Sequence, residues 1–339
     1  MRLFNTGIKI NNMELKNRLV MPPMAISKAD ESGKATSKTF DYYEEKSAGG
    51  YIGLIIAEHS YVSPEGKADK GQLSISDDRD IRGLRDMVSI VHKNDTKIMA
   101  QMNHAGAATT PDVTGLAQLS ASAVRMPEDS MTAPKGKLTI PLPKEMTIAD
   151  IKKTVDDFTK AALRAKAAGF DGVEIHSAHG YLLNQFYSPL TNKRSDEYTG
   201  RTIRGRIKLH LEIIESIREA VGNDYPLALR LGACDYMAGG STVEDSILAV
   251  KEFEKAGIDF IDISGGFCGY INPTSHKPGY FDELSKVIKD SVSIPVVLTG
   301  GIVDAETAEM LLKQEKADLI GVGRTILKDS AWAKKAMQL

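Results

Sequence analysis

The sequence predicts an α/β protein, a single (β/α)8 TIM barrel with an N-terminal hairpin and a long lid after strand 3. Short β-branched apolar runs alternate with longer segments of helical period along the whole chain, the pattern of parallel strands joined by crossover helices. Each kind of segment occurs eight times. No linker, low-complexity stretch or further repeat marks a second domain, so residues 1–339 read as one barrel domain.

The strands are expected at residues 18–21, 53–58, 97–102, 172–176, 227–231, 260–264, 296–299 and 319–322. Helices are expected at 39–48, 78–93, 148–168, 203–221, 243–256, 280–290, 305–314 and 326–336. The third helix shows the logic. Thr147 and Asp150 resemble a capping box, Ile151, Val155, Phe158 and Ala162 form one apolar stripe, Lys152, Lys153 and Asp157 lie opposite, and Gly169 stops the helix. Residues 7–15 read as a hairpin turning at Asn11-Asn12, placed to plug the lower mouth of the barrel. Residues 104–146 are too long for an ordinary connection and carry five prolines, and their position after a strand's C-terminal end favours a lid over disorder.

Composition narrows the partners. The chain is 42% hydrophobic and 26% charged, as an ordinary globular protein is. Its 43 basic and 45 acidic residues give a formal charge of −2, and no run of like charges draws it to nucleic acid or anionic lipid. No apolar signal core or membrane-length run is present, so a cytoplasmic location is expected. Cys234 and Cys268, far apart and without Cys-x-x-Cys spacing, read as two buried, inert thiols.

In such barrels the chemistry sits where strands run out at the C-terminal face. These ends are polar: Glu58-His59, Gln101 to His104, His176-Ser177-Ala178-His179-Gly180-Tyr181, Arg230 within strand five, Ser264-Gly265-Gly266, Thr299-Gly300-Gly301 and Gly323-Arg324. Glycines after strands seven and eight let backbone N–H groups approach an anion, and Arg324 can pair with phosphate oxygens; the structural alternative is a pair of tight turns.

His176-x-x-His179 admits a metal reading, but a hydrolytic site would want more ligands, and only Glu58, His59 and His104 stand at other strand ends. The other reading has both imidazoles donating to a substrate carbonyl with Tyr181 offering a proton. That chemistry needs an electron source. A phosphorylated redox cofactor on the barrel top would supply it, and flavin mononucleotide meets the requirement, with Arg230 at its pyrimidine edge or else paired to a carboxylate in the core.

Five segments carry a resemblance: Lys16-Asn17-Arg18-Leu19-Val20-Met21-Pro22-Pro23-Met24, Gln101-x-x-His104-Ala105-Gly106, the run from Gly169 through His176-Ser177-Ala178-His179-Gly180-Tyr181-Leu182, Ser188-Pro189-Leu190-x-Asn192-x-Arg194-x-Asp196-Glu197-Tyr198, and Gly321-Val322-Gly323-Arg324. Over nearly its whole length the chain resembles the Old Yellow Enzyme family of FMN-dependent ene-reductases, particularly the shorter bacterial branch. The resemblance implies tightly bound, non-covalent FMN, NADH or NADPH as reductant, and a small electrophilic alkene such as an α,β-unsaturated carbonyl compound, reduced with ping-pong kinetics. It places Pro22, Pro23, Met24, Ala25 and His59 along the flavin, Gln101 and Arg230 at its pyrimidine edge, and Gly300, Gly301, Gly323 and Arg324 at its phosphate. It makes His176 and His179 the grip on the substrate carbonyl, Ser27 a further substrate contact and Tyr181 the proton donor.

The sequence departs from the family at several points. Ala25 stands where a flavin-tuning cysteine is frequent, Ser27 replaces an aromatic substrate contact, and His59 replaces a smaller residue. Residues 199–206 keep only part of the family pattern, which bears on a helix start and on subunit contact in any homo-oligomer. The sequence ends at Leu339 without an arginine tail or a cysteine-rich cluster, so neither an iron–sulfur cluster nor FAD is expected. A metal-dependent hydrolase and a non-catalytic flavin-binding protein are the alternatives.

Overall fold

The computed structural model describes residues 2–134 and 140–338. Residues 135–139 of the expected lid, and the two terminal residues of the expected 1–339 domain, lie outside the described residues.

Eight parallel strands close into a barrel: β1 (Leu19–Met21), β2 (Leu54–Ile56), β3 (Lys97–Asn103), β4 (Gly172–Ser177), β5 (Leu227–Gly232), β6 (Phe260–Ser264), β7 (Val296–Thr299) and β8 (Leu319–Gly321). Each pairs with the next in sequence, and β8 returns to β1. Alternation along each strand sorts the side chains. Leu19, Ile55, Ala100, Ile175, Leu229 and Ile261 join the outer core against the helices, whereas Val20, Leu54, Ile56, Met99, Ala228, Phe260, Val297 and Leu319 face inward and form a cluster with Ile10, Met13 and Leu15. Those last three belong to an antiparallel hairpin of Ile8–Ile10 and Met13–Leu15, which closes the lower end of the barrel as expected.

The crossover helices are α1 (Ser37–Ser47), α2 (Ile81–His92), α3 (Ile148–Ala168), α4 (Ile203–Val221), α5 (Val243–Ala256), α6 (Asp282–Lys289) and α7 (Ala305–Lys313). In α3, Thr147 Oγ1 accepts from Asp150 N–H, Asp150 Oδ2 accepts from Thr147 N–H, and Gly169 ends the helix at φ +93°. Helix α4 starts at Ile203 with Thr202 as its cap, so residues 199–206 do set a helix start.

Several expectations need correction. The eighth helix divides into Arg324–Lys328 and Trp332–Gln338, because Asp329 is extended and its Oδ1 accepts from Ala331 N–H to begin the second piece. The second helix is preceded by a separate turn, Asp78–Asp80, capped by Asp77. Cys234 and Cys268 are half-buried rather than buried, and burial still pushes both thiols up, Cys268 to about 12. Residues 104–134 and 140–146 hold a helix at Pro111–Thr114 and a parallel strand pair, Leu119–Ser120 with Lys144–Glu145. Among the described residues no helix is long and apolar enough to cross a membrane.

Candidate active site

One step above the apolar plug, the inward positions become polar. Gln101 lies opposite Glu174 in the β3–β4 register, and Arg230 lies opposite Asp262 across β5–β6. All four are buried. Gln101 Nε2 donates to Glu174 Oε1 at 2.7 Å, and Arg230 Nε is 3.1 Å from Asp262 Oδ2. The core arginine does have a carboxylate partner, as the penalty on an unpaired buried charge requires.

Above this layer three imidazoles and a phenol meet. The His176 ring is 5.0 Å from His179 and 5.2 Å from Tyr181, and Tyr181 is 5.2 Å from His59, centroid to centroid. The backbone places them: β4 delivers His176 inward, the chain turns through His179 at φ +60° and Gly180 at φ +74°, and Tyr181 stands at the start of a short helix, Leu182–Tyr187. A Cβ on Gly180 would meet Thr132 Oγ1 at 2.8 Å and Phe267 Cδ1 at 2.9 Å, so only glycine admits the chain here. Thr132 Oγ1 donates to the His179 carbonyl at 2.6 Å, which ties the segment after strand three to this turn.

Electrostatics hold these groups in defined protonation states. Burial, reinforced by Arg230 and by neighbouring imidazoles, drives His176 and His179 well below the usual histidine range, so both are neutral. Burial also holds the Tyr181 hydroxyl above the ordinary phenol range, and the charge of Asp69 adds to this. The His59 tautomer follows from its partners. Gln72 Oε1 accepts from Ala68 N–H and its Nε2 donates to the His59 carbonyl, so that same NH2 group faces His59 Nδ1 at 2.6 Å. Nδ1 is therefore an acceptor and Nε2 carries the proton; burial keeps the ring neutral, with its pKa lowered to about 4. Glu58, buried beneath the loop after β1, is raised to about 8 by burial.

The ends of β7 and β8 form a cradle. Gly301 has φ +66°, and a Cβ there would meet Tyr280 Cε1 at 2.8 Å; one on Gly323 would meet Met24 Sδ at 2.9 Å and Pro22 Cγ at 3.1 Å. Arg324 is exposed, donates to the Tyr280 hydroxyl at 3.0 Å, and has no carboxylate partner among the described residues. Thr299 Oγ1 is buried without a partner. Pro22 and Met24 therefore border the glycine cradle, while Arg230 and Gln101 lie in the polar layer of the barrel. An apolar ledge, a polar layer and an anion cradle with a guanidinium that pairs with no carboxylate among the described residues fit a flavin mononucleotide.

The structure thus brings together His59, His176, His179 and Tyr181, and Pro22, Met24 and Gly323. Ser27 is exposed at φ +50°, with its hydroxyl 3.2 Å from Asp69 Oδ1, whose charge acts on His59 and Tyr181. Sequence reasoning missed Asp69 and Gln72, which lie in the loop after β2 with no motif around them. It also assigned no role to Ser264, whose hydroxyl is 2.7 Å from His179 Nε2, although its place at a strand end was a usable signal.

A model of the NADH:flavin oxidoreductase / NADH oxidase family matches residues 2–339. The chain is 40% identical over 343 residues to an NADH oxidase of Thermoanaerobacter brockii, covering 99% of this chain and 50% of the relative. It is 35% identical over 339 residues to an NADPH dehydrogenase of Clostridium acetobutylicum, covering 100% and 95%. The solved structure of an old yellow enzyme homologue from Zymomonas mobilis superposes with a TM-score of 0.86 at 26% identity, covering 100% and 93%. That of a 2-naphthoyl-CoA reductase in complex with 2-naphthoyl-CoA gives 0.91 at 25%, covering 99% and 52%. The chain spans about half the length of the first and last of these and nearly all of the other two. FMN is the cofactor, and the chain belongs to the NADH:flavin oxidoreductase / NADH oxidase family, the Old Yellow Enzyme group.

Proposed function

We propose that the protein uses NAD(P)H to reduce the activated C=C bond of small electrophilic alkenes, α,β-unsaturated carbonyl compounds above all. The observation that carries this is the pair of neutral imidazoles, His176 and His179, set beside a Tyr181 hydroxyl that keeps its proton. FMN, when bound, would supply the hydride chemistry that links NAD(P)H oxidation to alkene reduction, and use of one site by both reactants would give ping-pong kinetics. Pro22, Pro23, Met24 and Ala25 would line the flavin, Gln101 and Arg230 would meet its pyrimidine edge, and Gly300, Gly301, Gly323 and Arg324 would hold its phosphate. His176 and His179 hydrogen-bond the substrate carbonyl oxygen and stabilise the charge that develops there. With Nε2 engaged by Ser264, His179 has Nδ1 as its free nitrogen. Tyr181 protonates the α-carbon. His59 would lie along the flavin and Ser27 would be a further substrate contact.

The purified protein should be yellow, bleach on anaerobic NAD(P)H and regain colour on addition of cyclohexenone; colourless protein unable to take up FMN would sink the reading. Tyr181→Phe should slow the alkene half-reaction by roughly 10²–10⁴-fold and leave flavin reduction nearly intact. Equal loss in both half-reactions would remove Tyr181 as proton donor. The hydrolase alternative predicts a stoichiometric metal in the purified protein, which elemental analysis would detect. Turnover of cyclohexenone also dismisses a non-catalytic flavin-binding role.

A further inference from the structure

The polar layer of the barrel contains two buried carboxyl groups and one guanidinium. Strand β5 pairs with both β4 and β6, so Arg230 stands between the strands of Glu174 and Asp262. Among the described residues, only Asp262 makes an ion pair with it, at 3.1 Å, and Glu174 has no ion-pair partner. What Glu174 receives is one neutral donor, the Gln101 amide, at 2.7 Å on Oε1. Two oxygens of this contact, Glu174 Oε2 and Gln101 Oε1, are buried without any donor.

An ionised Glu174 would add a second negative charge beside a single cation in a sealed layer, and would leave both oxygens orphaned. One proton on Oε2 removes the surplus charge and gives Gln101 Oε1 a donor, completing the two-bond ring that a carboxylic acid forms with a primary amide. We propose that Glu174 is a neutral carboxylic acid joined to Gln101 in a cyclic acid–amide pair, and that it is the positioning residue holding the Gln101 amide towards the flavin. The second half rests on the proposed contact of Gln101 with the pyrimidine edge; the first does not. Burial and the Asp262 charge both push Glu174 up, against the opposing pull of Arg230 and Gln101. The remaining titratable group near it on its own strand, His176, is neutral.

The test compares wild type, Glu174→Gln, Glu174→Leu and Asp262→Asn. In infrared spectra of apoprotein labelled with 13C-glutamate, a protonated-carboxyl band should be present, and Glu174→Gln should remove one component while any Glu58 component stays. Glu174→Gln copies the neutral acid in shape and pairing, so FMN affinity, from flavin fluorescence quenching, and the midpoint potential at neutral pH should not move. Asp262→Asn, which deletes a standing charge, should raise the potential. Glu174→Leu should weaken FMN binding about tenfold, the worth of one positioned hydrogen bond. The neutral acid is overturned if the band is missing, if Glu174→Gln raises the potential, or if Glu174→Gln fails to fold. Unchanged FMN affinity in Glu174→Leu overturns the positioning role. A wild-type protein that takes up no FMN would defeat the proposed function while leaving the apoprotein band to be read.

Discussion

Met99, Gly172, Ala228 and Phe260 occupy the inward positions at the lower end of β3 to β6, where Met99, Ala228 and Phe260 pack with the hairpin residues Ile10, Met13 and Leu15 in a dry cluster. Gln101, Glu174, Arg230 and Asp262 stand two positions further along the same strands, roughly 7 Å higher, in a layer that holds an ion pair and an acid–amide contact. The backbone pairing is the same at both levels, but the side chains serve different ends. The lower layer excludes water and gains stability from packing, whereas the upper layer keeps buried polar groups that add little net stability and belong to the proposed flavin site. A two-residue step should therefore separate variants that unfold the barrel from variants that disarm it.

The hardest test of that separation moves upper-layer chemistry downwards. Phe260→Asp removes a fully buried ring and leaves an unpaired carboxylate among apolar side chains, and it should destabilise the protein by more than about 5 kcal/mol, leaving no cooperative denaturant transition. A folded Phe260→Asp protein would show that the plug is not dry. Next in size, Asp262→Leu strands Arg230 without a counter-ion and should destabilise by about 3–5 kcal/mol. Adding Arg230→Met should recover most of that loss in urea unfolding while flavin affinity stays low. Recovery of both together would mean that the upper layer serves stability after all.

The strands and the inward side chains were legible because alternation and the eightfold count are properties of sequence. His176, His179, Tyr181, Gln101, Arg230 and Arg324 could be singled out because each ends or lies within an apolar run. The helix Leu182–Tyr187 was not legible: all six of its residues are buried, so no polar face gives it a period. Asp69 and Gln72 were invisible for another reason. Asp69 meets Ser27 and Gln72 meets His59 through tertiary contacts made by a loop, and nothing local distinguishes them from other polar loop residues. The half-burial of Cys234 and Cys268 likewise depends on how the loops after β5 and β6 pack.

The smallest expected effect sharpens the comparison from outside the barrel. His210, on α4, is buried between helix and sheet with Nε2 2.7 Å from Ser177 Oγ, and burial alone lowers its pKa to about 3. Between that value and the ordinary histidine pKa of about 6.5 the unfolded chain binds a proton that the folded chain refuses. Stability should therefore fall as pH drops through this window, by roughly 1.4 kcal/mol per pH unit for each such histidine. His59 and His104, both lowered to about 4 by burial, act with the same sign. Glu58 acts with the opposite sign: raised to about 8, it contributes stability that is complete below the ordinary glutamate range and lost as pH rises to 8. His210→Gln should remove one histidine's share of the acid slope, read from urea midpoints at pH 6.5, 5.5 and 4.5, without changing flavin content. Parallel slopes for wild type and variant would place the acid sensitivity in the active-site imidazoles, and the upper layer would then limit stability as well as carry the chemistry.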